Sequence, residues 1–181
     1  MNNPFGLLFR IKINIEIIRN MSHKVFVYGT LKRNEPNHHW LTNPDHGVGM
    51  FVSEGKTKTK YPLIIATKYN IPFLLYSPGD GHHVKGEVYE IDDTMLSKLD
   101  ILEDHPNYYI RVIDDIIVNN AGKEEIEKCW VYFLKNFRPE LLAKEQFENY
   151  TSEGSHGLKY LESNNESTID DLDDDGDVQQ K

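Results

Sequence analysis

Two places in this chain hold residue types that suit chemistry. The first is the stretch Lys24 to Lys32, reading Lys-Val-Phe-Val-Tyr-Gly-Thr-Leu-Lys, where the apolar run Val25, Phe26, Val27 is ended abruptly by Gly29. A buried strand breaking into a tight loop fits that pattern. At Gly29 no Cβ stands between a ligand and the main chain, and the N–H groups of Thr30 and Leu31 are candidates to point free of any ladder, as donors for a carboxylate or an oxyanion. Tyr28-Gly29 would serve equally well as a plain corner at the end of a core strand.

The second is Glu103. Asp92 and Asp93 are credible helix caps, and Pro106 is a stop for the helix between them. At about 100° per residue, Met95, Leu96, Leu99 and Leu102 share one apolar arc, and Glu103 falls inside it. Asp100 and Asp104 project outside the arc, where solvated carboxylates belong. A glutamate held on the core side is harder to ionise, and its pKa moves toward the range useful for proton transfer near neutrality. The competing reading is a helix-end side chain that escapes to water.

These two places need a scaffold, and the rest of the chain reads as mostly strand. Met50 to Lys58, Leu63 to Thr67, Phe73 to Ser77 and Val84 to Ile91 are rich in β-branched and aromatic residues and are separated by Pro and Gly signals. Two long strands are expected after the helix, Tyr108 to Asn119 and Glu127 to Lys135, joined by Asn119-Asn120-Ala121-Gly122. Short helices are expected from His38 and over 138–147. Phe9 to Ile17 alternates apolar and polar residues, the period of a half-exposed strand, in an N-terminal extension over 1–20 that precedes a domain over 21–160. Residues 161–181 read as an acidic disordered tail.

Composition narrows the function. The formal charge is −9, with +2 on residues 1–20 and −7 on residues 161–181, so nucleic acid is not an expected partner. No apolar run approaches the ~20 residues of a membrane span, and the lone Cys129, expected buried and inert, fits a reducing cytosol. The pairs His38-His39 and His82-His83 suit chelation poorly, since neighbours on a strand face opposite ways, and no metal is expected. Asp171 to Gly176 imitates the first half of a calcium loop, but its twelfth position would fall beyond Lys181.

Tyr28-Gly29-Thr30-Leu31, Tyr61-Pro62-Leu63, Ile71-Pro72-Phe73-Leu74, Gly86-Glu87-Val88-Tyr89 and Leu99-Asp100 to Glu103, in that order, resemble the γ-glutamylcyclotransferase (AIG2-like) family. The resemblance covers about residues 24–160. It is strongest to the branch that acts on γ-glutamyl amines, through Lys32-Arg33, Pro36-Asn37-His38, Ser152-Glu153-Gly154 and His156-Gly157-Leu158. It implies an α+β fold with a small mixed β-barrel flanked by helices. It also implies a substrate-binding loop Tyr28, Gly29, Thr30, Leu31, with Glu103 as catalytic acid and base, and needs neither cofactor nor metal. The implied substrate is a small γ-glutamyl molecule, with γ-glutamyl amino acids or a purely ligand-sensing role as the alternatives. Tyr109 matches the family's tyrosine after Pro106 and is either a pocket wall or a core residue. Asp104 and His105 depart from the smaller residues expected beside the acid.

Overall fold

The computed structural model describes residues 21–162. The alternating stretch over 9–17 and the acidic segment from 163 on, with its calcium-loop imitation, lie outside the described residues. In chain order the elements are β1 (Met21–Val27), α1 (His39–Thr42), a 3-10 turn (Pro44–His46), β2 (Gly49–Thr57), β3 (Leu63–Ala66), β4 (Ile71–Leu74), β5 (Lys85–Asp92), α2 (Asp93–Leu102), β6 (Tyr109–Asn120), β7 (Lys123–Leu134) and a second 3-10 turn (Pro139–Ala143).

Five strands close a barrel in the order β1-β5-β2-β6-β7. Neighbours are antiparallel except at the closure, where β1 meets β7 in parallel at Val25 and Trp130. The expected α+β fold with a small mixed β-barrel is therefore what the chain forms, and the flanking helices are few and short. Alternation divides the core in two. Phe26, Val88, Ile116, Val118, Val131 and Phe133 share one cluster. Val25, Val27, Tyr89, Ile91 and Leu134 share the other with Met95, Leu96 and Leu99 of α2. A five-stranded barrel has no room for a helix inside, so the cluster containing α2 is the outer one.

Helix α2 begins where its sequence says it should. The Asp92 side chain accepts from Met95 N at 2.8 Å, and Met95, Leu96 and Leu99 are buried, each contributing roughly 1.5–3 kcal/mol of apolar burial. The β3–β4 hairpin is a separate two-stranded sheet that adds residues to both clusters and joins the barrel through Tyr76 N to Leu134 O at 2.9 Å. Pro72 sits within β4, tolerated because a two-stranded sheet is all edge.

Three expectations shift, the first being β4, which is Ile71–Leu74 rather than Phe73 to Ser77. β7 starts at Lys123 rather than Glu127, because Ala121 and Gly122, both at positive φ (51° and 86°), make a two-residue turn that lets the charged Lys123–Lys128 pair with β6 at once. The helix expected over 138–147 is only the 3-10 turn Pro139–Ala143. It has no side-chain cap and one buried anchor, Leu141. The chain then runs as an irregular strap, with Phe147 N on Leu63 O and Lys85 N on Glu148 O. Among the described residues no helix is long and apolar enough to cross a membrane.

Candidate active site

The loop after β1 is pinned from beneath and left open above. Lys32 N donates to Gly29 O at 3.2 Å, Asn37 N to Thr30 O at 2.9 Å, and Asn37 Nδ2 to Thr30 Oγ1 at 3.0 Å. His38 Nδ1 lies 3.1 Å from Leu31 O, an arrangement in which the ring nitrogen donates. The loop carbonyls are thus occupied, whereas the N–H groups of Gly29, Thr30 and Leu31 donate to no acceptor among the described residues. Lys32 is buried beside them, its Nζ on Asn149 Oδ1 and Tyr150 O, and burial lowers its pKa. Gly29 has a structural reason that the sequence reading did not supply: a Cβ there would stand 2.8 Å from Pro72 Cγ. The glycine admits the hairpin.

Glu103 is the residue at which α2 stops. Its N–H bonds Leu99 O at 2.9 Å while its backbone leaves the helical region (φ −88°, ψ 3°). The excursion from Asp104 to Tyr108 then loops back, and Tyr109 N donates to Glu103 O at 3.3 Å. That bond sets the start of β6 against the helix end, so Glu103 and Tyr109 face the Gly29 loop together. The residue is half-buried, and its carboxylate bonds no described residue. Burial pushes the carboxyl up to about 7.

Two cavities meet at this carboxylate. A slot of about 80 Å³ is lined by Tyr28, Gly29, Pro72, Tyr132 and Glu103 among others. A chamber of about 510 Å³ runs outward past Pro36, Trp40, Tyr108 and Tyr160. Thr30, Leu31, Ile71, Glu103 and Tyr109 line both. Burial first holds the Tyr28 and Tyr109 phenols well above their usual range, helped by the Glu103 charge at Tyr28 and by the Tyr28 and Tyr108 phenols, then Glu103, at Tyr109; burial and the Asp100 hydrogen bond do the same for Tyr132. All three present neutral hydroxyls. Tyr28 spends its own on Tyr132 O at 3.0 Å, but that of Tyr109, in a residue 7% exposed, bonds no described residue.

The expected loop and acid are therefore side by side, and Tyr109 is both pocket wall and core. Asp100 is a correction. Instead of a solvated carboxylate it accepts from Tyr132 Oη at 2.7 Å and lies 3.4 Å from Arg111 Nε, because those two side chains reach it from β7 and β6. Tyr132, Trp40 and Tyr160 belong to the lining and carry no signal in sequence that separates them from core aromatics. Cys129 is fully buried, its thiol pushed up to about 12 by burial. Among the described residues no three His, Cys, Asp or Glu side chains converge in metal-holding positions.

Comparison with known proteins is consistent with this geometry. The family profile described as gamma-glutamyl cyclotransferase, AIG2-like matches residues 25–153. A Danio rerio protein named gamma-glutamylaminecyclotransferase C is 46% identical over 142 residues, covering 77% of this chain and 93% of its own. The Mus musculus gamma-glutamylaminecyclotransferase is 44% identical over 144 residues, covering 77% of this chain and 96% of its own. The crystal structure of a Mus musculus AIG2-like protein superimposes with a TM-score of 0.75 at 43% identity, covering 80% of this chain and 98% of that one.

Proposed function

This chain belongs to the gamma-glutamyl cyclotransferase, AIG2-like family, and on that premise we propose that it releases 5-oxoproline and a free amine from γ-glutamyl amines, with Glu103 as the acid and base. The α-amino nitrogen of the glutamyl group attacks its own δ-carbonyl. A five-membered lactam closes, and the C–N bond to the amine breaks. Because the attack is intramolecular, the enzyme's part is to hold the folded conformer, move protons and stabilise the developing oxyanion.

The slot fits the glutamyl headgroup, and the larger chamber fits the leaving amine. The N–H groups of Gly29, Thr30 and Leu31 are donors for the headgroup oxygens. Glu103 accepts a proton from the attacking nitrogen and returns it to the leaving nitrogen, so one carboxylate serves both steps. The observation that carries this reading is a carboxylate of pKa about 7 standing where the open loop amides and both cavities meet. The substrate is a small molecule; the proposed setting is the cytosol, for which the single cysteine argues.

Purified protein should be incubated with γ-glutamyl-ε-lysine, γ-glutamyl-alanine and glutathione, and 5-oxoproline measured. The expected order of kcat/KM places the lysine isopeptide first and glutathione last. Glutathione as the best substrate would remove the amine specificity, and three inert substrates would remove the enzyme reading.

A further inference from the structure

Among the described residues two charged side chains are buried, Lys32 and Glu87, each 7% exposed, and both hold the stretch that follows the open loop amides. Glu87, on β5, accepts from Arg33 N at 3.0 Å, from Arg33 Nε at 2.9 Å and from Tyr89 Oη at 2.8 Å. These bonds fix the loop exit to the barrel. Lys32 fixes the same stretch to the strap instead. Its Nζ donates to Asn149 Oδ1 at 2.8 Å and to Tyr150 O, and three positions on Glu35 Oε2 accepts from Ser152 N at 2.9 Å. Lys32, Asn149 and Tyr150 line neither the slot nor the chamber, so any part these contacts take in the reaction runs through the loop.

Resting on the cyclotransferase reading, we propose that Lys32 is a positioning residue for the glutamyl headgroup, aiming the loop amides by locking the loop to the strap at Asn149 and Tyr150. Peptide planarity carries the effect. Lys32 N donates to Gly29 O at 3.2 Å, and Gly29 O is coplanar with the Thr30 N–H, so the place of Lys32 sets where that donor points. The Lys32 backbone is held in turn by its own side chain. Burying an ammonium is a poor way to gain stability alone, because hydration is lost and an apolar side chain of similar length packs at less cost. What two acceptors on the strap add is direction. A donor must stand within a fraction of an ångström of its productive place, and a loop tied on one side to the barrel and on the other to the strap has little freedom to leave it.

The headgroup is common to every γ-glutamyl substrate, so the effect is independent of what leaves. Lys32→Met keeps an apolar stem and removes the ammonium. It should raise KM roughly tenfold, by the same factor for γ-glutamyl-ε-lysine and γ-glutamyl-pentylamine, with kcat within about twofold of the parent and the acid limb of the pH profile in place. Asn149→Ala, at an exposed side chain where folding is least at stake, should raise KM about threefold and add nothing further to Lys32→Met. Lys85→Ala breaks only the exposed ion pair to Glu148 on the same strap, at 3.3 Å, and should keep the parent KM. If Lys32→Met does not fold, Asn149→Ala against Lys85→Ala decides. A parent KM in Asn149→Ala, factors that differ between the two substrates, effects that multiply in the double variant, or an equal rise in Lys85→Ala would overturn the assignment while leaving the cyclotransferase reading intact. No 5-oxoproline from the parent protein would overturn both.

Discussion

Gly29 and Pro72 approach so closely that a Cβ on the first would lie 2.8 Å from Cγ of the second, which ties the open loop to the β3–β4 hairpin. A proline ring cannot swing aside as a flexible side chain does. Gly29→Ala should therefore displace loop or hairpin, at about 1–3 kcal/mol of stability. A lowered urea midpoint at unchanged m-value, with a fall in kcat/KM, is the expected result. A midpoint equal to the parent's would show that the hairpin is not seated on the loop.

Glu103→Gln keeps shape and hydrogen-bonding capacity but removes the titrating proton. Turnover should drop roughly 10²- to 10⁴-fold while the protein stays folded and still binds substrate. Isothermal titration on the variant separates a slow enzyme from an empty one. Parent-like turnover would mean the acid has been misassigned.

The pH dependence follows from the same carboxyl, raised from 4.5 to about 7 by burial. Below pH 7 it is increasingly protonated and no longer accepts the amine's proton, so kcat/KM should fall about tenfold per pH unit on the acid limb. Stability moves the other way. Between 4.5 and about 7 the folded state keeps a proton that the unfolded chain has lost, so this group's contribution declines as pH rises and is fully lost above 7. Glu103→Gln should thus gain stability relative to the parent across that window, reaching on the order of 3 kcal/mol at pH 8, and should lack the acid limb. Denaturant titrations at pH 5 and pH 8 give the comparison.

Asp100 makes a different kind of contact. Asp100→Ala strips the acceptor from Tyr132 Oη and the counter-charge from Arg111, whose guanidinium also lies 4.5 Å over the Trp130 ring. A loss of about 1–3 kcal/mol is expected from the groups left unpaired. Asp100→Asn, which keeps an acceptor for Tyr132, should recover part of it. A pH profile unchanged in shape for both would mark this carboxylate as a support of the site rather than its acid.

Much of this was readable from the chain because helical phase is a local property. Met95, Leu96 and Leu99 define a face, and the same rotation carried to residue 103 puts Glu103 on it. Helical phase does not place Asp100 because its partners Tyr132 and Arg111 come from β7 and β6, and side chains arriving from distant strands leave no trace in the helix's own sequence. Gly29 was legible as a special position, while its neighbour Pro72, 43 positions on, was not. The strap after Ala143 carries helix-like composition but is held by backbone bonds to Leu63 and Lys85, which composition does not encode.

That strap separates two inherited properties. The family profile ends at residue 153, and the acid, the loop and all five barrel strands lie before that point or begin at most four residues outside the profile. Tyr160 and Glu162, which wall the far end of the chamber, lie after it. Substitutions there touch the chamber wall without entering the barrel, the Gly29 loop or the turn that carries Glu103. The shape of the chamber's outer wall is thus set by irregular backbone beyond the matched segment, whereas the loop, the acid and nearly all of the barrel fall inside it.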